Sequence, residues 1–185
     1  GNYKTLRRPL VLSLITDSSG TVWVGAGGIN QYIPENDSFL YFKNHIYQSK
    51  QEYIGNIQDL YFDKNNSLWN RAHQDVLVCF NPITGISKNF SLSQCLGFDA
   101  ESLNFKSFCL DADNRLWMIL NNTIYSAVAD TLRNHLSLVE IENDSYSSKP
   151  VSIYCDLQNQ IFLSTTQGVF TYDRLKKIFV PFSPD

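Results

Sequence analysis

The apolar positions of this 185-residue chain fall into short runs broken by one recurring polar corner, with no convincing 3.6-residue stripe anywhere. Four segments align without gaps: Val11 to Trp23, Ile57 to Trp69, Phe105 to Trp117 and Pro150 to Phe162. In each, an apolar stretch runs into an aspartate: Asp17, Asp63, Asp111 or Asp156. Three residues later stands Gly20, Asn66, Asn114 or Asn159, and six residues after the aspartate an aromatic, Trp23, Trp69, Trp117 or Phe162. Gly and Asn tolerate a left-handed backbone best, and a leading Asp accepts hydrogen bonds from the amides of its own turn. A type I turn closed by a left-handed residue joins two antiparallel strands. Each segment is therefore expected to be a hairpin, its first strand ending at the Asp and its second starting just before the aromatic.

The chain beyond each hairpin repeats more loosely. A third strand ends in an aromatic and a turn at Ile29 to Pro34, Val76 to Pro82 and Val169 to Arg174. A fourth is expected at Phe39–Phe42, Ile86–Phe90, Leu138–Ile141 and Ile178–Phe182. Ala127 to His135, the best helical candidate, reads instead as an excursion between the third and fourth strands of its repeat. The aromatic-to-aromatic spacings are 46, 48 and 45 residues, inside the roughly 40–50 expected of four-stranded propeller blades. The fold class is thus all-β: four four-stranded antiparallel blades, at about 9–45, 55–92, 103–142 and 149–183, in one domain spanning 1–185. Four blades are expected to form an open arc or partial propeller, its bare faces covered by a second copy in a homodimer, with a small closed ring as the alternative.

The run Asp17-Ser-Ser-Gly20-Thr-Val-Trp23-Val-Gly25-Ala-Gly27-Gly28-Ile-Asn-Gln-Tyr32 resembles the two-component-regulator propeller repeat, and the likeness extends more loosely over nearly the whole chain. Blade two departs from it with Asn70-Arg-Ala-His-Gln-Asp75 in place of the Gly-Gly turn, and blade four has Phe162 for the Trp. The resemblance implies the periplasmic sensor region of a Bacteroidetes hybrid histidine kinase: a module that senses a ligand such as a carbohydrate and catalyses nothing itself, reaching the membrane only through its parent chain. The alternatives are a scaffold for protein–protein contacts or a small lyase-type propeller.

Composition narrows the partners. Apolar residues make up 43% and charged residues 18%, enough apolar surface to offset chain entropy, so the chain is expected to fold. Fifteen Lys and Arg against 18 Asp and Glu leave a net charge of −3, which offers no field to a phosphate backbone, and nucleic acid is not an expected partner. The loops joining second to third strands, with the stretches between blades, share one rim in a propeller. The richest cluster there is Arg71, His73, Gln74 and Asp75, facing Tyr47 and Tyr53. Planar polar groups beside aromatic faces suit a sugar ring, so an oligosaccharide or another small molecule is the expected ligand; replacing Arg71 and His73 is expected to weaken binding without lowering stability. The bland reading of the same residues is a solvated loop. The three histidines lack ligand spacing, Asp111-Ala-Asp113-Asn114 lacks the rest of a calcium loop, and the cysteines show no CxxC pairing. No metal or cofactor is expected. Cys79, Cys109 and Cys155 read as small buried hydrophobes, and no Gly-x-Ser-x-Gly elbow marks a hydrolase.

Overall fold

A computed structural model describes residues 2–6, 9–42, 57, 59–73, 75–142 and 148–183. Each of the four segments forms its hairpin, and each hairpin grows into an antiparallel meander. The first sheet holds β2 (Ser13–Thr16), β3 (Val22–Gly25), β4 (Ile29–Ile33) and β5 (Ser38–Phe42), and a two-residue strand β1 (Asn2–Tyr3) adds to its outer edge against β5. The second holds β6 (Leu60–Phe62), β7 (Leu68–His73), β8 (Val76–Phe80) and β9 (Ser87–Ser91). The third is built from β10 (Phe105–Leu110), β11 (Leu116–Leu120), β12 (Thr123–Asp130) and β13 (His135–Glu140). The fourth comprises β14 (Pro150–Cys155), β15 (Ile161–Thr165), β16 (Gly168–Asp173) and β17 (Ile178–Pro181). Four meanders of four strands, expected from the repeat, are what the chain forms, with β1 as an unforeseen fifth strand on the first.

Two compact units divide the chain: 1–91 with the first two sheets, and 92–185 with the last two. In the first unit, Trp23, Ile29, Ile57, Leu60, Leu68 and Phe80 pack as one buried cluster between the two sheets, with Ile15, Phe42 and Phe62 against it. Hiding each such side chain from water stabilises by roughly 1.5–3 kcal/mol. The inner strands β8 and β11 are buried at every position and show no alternation. Gly25 permits the close approach: a Cβ there would lie 2.8 Å from the Ile57 carbonyl oxygen. In the second unit the Trp117 ring meets Tyr172 edge-on at 4.6 Å. Within each unit a serine four residues before the turn aspartate bridges the two sheets, Ser13 Oγ donating to the Ile57 carbonyl at 3.0 Å and Ser107 Oγ to the Ile153 carbonyl at 3.4 Å.

Two details differ from the sequence expectation. The segment from Ala127 to His135 is not an excursion: Ala127–Asp130 completes β12 and His135 opens β13. One helical turn, α1 (Leu92–Leu96), occupies the stretch between the second and third sheets, with Leu92 and Ser93 buried. Five residues cannot show a helical period, which is why the pattern missed it.

Candidate ligand-facing loops and the turns that carry them

The corners explain the repeat in atomic terms. Gly20, Asn66, Asn114 and Asn159 all have positive φ, at 83°, 59°, 60° and 64°. In the first three corners one carboxylate oxygen of the Asp accepts the amides two and four residues on: Ser19 and Thr21 for Asp17, Asn65 and Ser67 for Asp63, Asp113 and Arg115 for Asp111. The other oxygen accepts the indole N–H of the tryptophan, at 2.9 Å for Asp17–Trp23 and 3.0 Å for Asp63–Trp69 and Asp111–Trp117. The six-residue interval is therefore a hydrogen-bonding distance around a turn. In the fourth corner Phe162 has no N–H to offer, and Asp156 keeps the Gln160 amide at 2.7 Å.

A second corner recurs between third and fourth strands. Asn81, Asp130 and Asp173 each accept the amides two and three residues ahead. Four residues on, Gly85, Asn134 and Lys177 adopt φ of 69°, 55° and 59°. The sequence signal was present as an acid or amide followed at that spacing by Gly or Asn. It escaped notice because the third copy lacks the aromatic before its acid and the fourth ends in Lys.

The candidate loop cluster lies on the second sheet. Tyr47, Tyr53 and Gln74 fall outside the described residues, as does the side chain of His73, whose backbone pairs with Val76 after an irregularity in register. Arg71 and Asp75 are held by the protein itself. The Arg71 guanidinium sits 3.5 Å from Asp59, and both side chains are largely buried. Burial pushes the Asp59 carboxyl above its ordinary value, with Arg71 opposing that rise; burial lowers Arg71, with Asp59 opposing. Asp75 is buried and accepts a hydrogen bond from Ser91 Oγ at 2.8 Å. Sequence reasoning expected Arg71 to be dispensable for stability, but its removal strips a buried carboxylate of its counter-charge.

Asn70 is the residue that sequence reasoning passed over. The position after the corner aromatic is Val24, Met118 and Leu163 in the other sheets, all buried. Here an amide is fully buried, and neither its nitrogen nor its oxygen has a hydrogen-bond partner. An unpaired buried amide costs about 1–3 kcal/mol, so blade two carries a polar intrusion beside Arg71.

At the corner of the second unit, Asp111 is wholly buried and lies 3.5 Å from Arg174, whose guanidinium also donates to the Asn159 carbonyl at 2.9 Å. Asn159 in turn accepts the Ala112 amide at 2.7 Å. These contacts tie the two corners together, so Asp111 is a structural anchor. Among the described residues no group of three His, Cys, Asp or Glu could hold a metal ion. Cys79 and Cys109 are buried and Cys155 half-buried; burial foremost pushes Cys79 and Cys155 to about 11 and Cys109 well above its ordinary value, which keeps all three protonated.

Sheets of this kind, built on one repeated corner, are the blades of β-propellers. No family model matches the sequence, and no curated protein does. Among solved structures the chain is similar to the extracellular domain of BT4673 from B. thetaiotaomicron, described as a hybrid two-component system, at 24% identity and a TM-score of 0.66 over 90% of this chain and 22% of that one. The extracellular domain of BT3049, described likewise, matches at 14% identity and a TM-score of 0.64, over 93% and 23%. Virginiamycin B lyase from Staphylococcus aureus matches at 12% identity and a TM-score of 0.70, over 100% and 59%. These likenesses establish the propeller fold. The chain spans 22% to 59% of these neighbours' lengths. No helix among the described residues is long and apolar enough to cross a membrane.

Proposed function

We propose that this chain is a ligand-sensing propeller module of an extracytoplasmic sensor region in a hybrid two-component kinase, without catalytic activity of its own. The observation that supports this reading most is the match over 90% of the chain with the extracellular domain of BT4673, in company with the corner repeat. The periplasm is the compartment this reading implies, and a carbohydrate is the ligand class that the loop chemistry favours. Arg71 and His73 lie on β7 at alternate positions, and a planar guanidinium beside an imidazole is the pairing that suits the hydroxyls and ring face of an oligosaccharide.

Titration calorimetry of the chain against a panel of oligosaccharides tests the reading. His73→Ala is expected to weaken binding of the best glycan at least tenfold at an unchanged melting temperature. Arg71→Ala is expected to weaken binding and to cost about 1–3 kcal/mol, because Asp59 loses its partner. Failure of every glycan to bind sinks the carbohydrate assignment. A second reading, a lyase-type propeller, draws on the TM-score of 0.70 with virginiamycin B lyase; opening of a streptogramin B ring by the purified chain would favour it over the sensor.

A further inference from the structure

The junction between the third and fourth sheets holds two thiols that neither the corners nor the candidate loops use. Cys109 stands opposite Trp117 in the pairing of β10 with β11, so their side chains share a face. On that face the Trp117 ring meets Tyr172 of the fourth sheet. Cys155 stands opposite Ile161 in the pairing of β14 with β15. In the next pairing Leu163 is opposite Phe170, and side chains two residues apart share a face, so Ile161, Tyr172 and Cys155 lie together. Each cysteine thus projects from the inner strand of its sheet into the same junction. Cys109 is wholly buried there and Cys155 half-buried.

The two strands also hold the cysteines level. Ser107 Oγ accepts the Ile153 amide at 3.3 Å and donates to the Ile153 carbonyl at 3.4 Å. Past the cysteines, the Ala112 amide donates to Asn159 Oδ1 at 2.7 Å. These ties join residues 46 and 47 apart, so β10 and β14 run side by side in the same direction. Cys109 and Cys155, 46 apart in sequence, fall at one height between them. The Cys155 sulfur lies 3.7 Å from the same Asn159 Oδ1 that takes the Ala112 amide, which sets it against the third sheet. Electrostatics agree: burial foremost, and Cys155 next, push the Cys109 thiol up. In the first unit the equivalent places, two residues before one corner aspartate and one before the next, hold Ile15 and Phe62. Both pack against a single buried cluster. The second unit has two sulfurs where the first has an apolar contact.

We propose that Cys109 and Cys155 form a disulfide that staples the third sheet to the fourth when the chain meets an oxidising compartment. The structure holds them as thiols, and the oxidant is an outside disulfide of the oxidised-glutathione or dithiol-oxidase class. The Cys155 thiolate, the more exposed of the two, attacks one sulfur of that donor; the donor S–S bond breaks and its first thiol leaves with the Cys155 proton. Cys109 then gives up its own proton and attacks the Cys155 sulfur, displacing the second donor thiol. One S–S bond forms and one breaks, and both electrons end on the donor. Burial keeps both cysteines protonated, so the exchange is slow at neutral pH and quickens with base. The staple closes an interval of 46 residues, which removes much of the freedom of the unfolded chain. The compartment rests on the extracytoplasmic reading, whereas the pairing rests on the junction alone.

The purified 185-residue chain is equilibrated at mildly alkaline pH with reduced or oxidised glutathione, trapped by alkylation, digested and mapped by mass spectrometry. Under oxidation one crosslink is expected, joining the Cys109 and Cys155 peptides, while Cys79 and Cys95 stay alkylated. The oxidised chain is expected to melt roughly 5–10 °C above the reduced one. Cys155→Ala, at the half-buried position, should melt at one temperature in both buffers. A chain that stays fully alkylated under oxidation overturns the proposal. A crosslink through Cys79 or Cys95 in its place overturns it too, as does an oxidised chain no more stable than the reduced one. No glycan enters the measurement, so a missing staple leaves the ligand reading untouched, and a failed glycan screen leaves the staple untouched.

Discussion

At the residue scale, the aspartate of each corner carries more of the structure than its place in a turn requires. Asp17 illustrates the electrostatics. Burial pulls its carboxyl upward, but hydrogen bonds from Ser19, Trp23 and Thr21 outweigh that and hold it below the ordinary 3.8. A carboxyl depressed on folding contributes stability that is present above its unfolded value and lost as pH falls through the folded one. The urea midpoint of Asp17→Asn should therefore lie below the parent's at pH 6, and the gap should close on acidification below 3.8. Asp59 has the opposite sign, because burial raises it: its contribution favours folding at low pH and fades as pH climbs through the raised value. Asn70 is the other residue out of keeping with its surroundings. Asn70→Leu restores the apolar side chain found at that position in the other sheets and removes two unpaired polar atoms. A gain of about 1–3 kcal/mol in urea unfolding is expected. A loss of that size would mean the amide has a partner in solution.

At the scale of elements, two corners per meander set where strands start and stop. The corner between first and second strands was legible because Asp, Gly or Asn, and an aromatic recur at fixed intervals, and each has a local reason to be there. The corner between third and fourth strands was half legible: Asn81-Pro82 and Tyr172-Asp173 stood out, while Asp130 did not, since Ala129 precedes it. Lys177 shows what such degeneracy costs. It holds a φ of 59°, where Gly85 and Asn134 fill the same place with less strain. Lys177→Asn is expected to raise stability by about 0.5–1 kcal/mol, read as an upward shift in melting temperature. The short α1 turn and the β1 edge strand left no trace in the pattern, because elements of five and two residues carry no period.

At the scale of the molecule, the all-β architecture and its four meanders came from one repeated spacing, whereas the candidate site did not. A repeat advertises itself by redundancy. A site is written once, in the positions where a copy departs from its siblings, and a single sequence cannot separate such departures from drift. Asn70-Arg71-Ala72-His73 stands out because it replaces the turn of the first blade, and the fold adds that Arg71 is engaged by Asp59 and Asp75 by Ser91. Asn70 itself became visible only when its equivalents were seen to be buried and apolar.

One corner, an aspartate closing over the indole of the tryptophan six residues on, organises the first three meanders alike, and the rest of the fold is built on it. Proton–nitrogen correlation spectra of the chain with labelled tryptophan measure it directly. Three indole N–H signals are expected, all slow to exchange with solvent, and Asp17→Ala, Asp63→Ala and Asp111→Ala should each displace and deprotect chiefly the signal of its own partner, Trp23, Trp69 or Trp117. Indole protons that exchange as fast as free tryptophan, or that ignore the loss of their aspartates, would contradict the account.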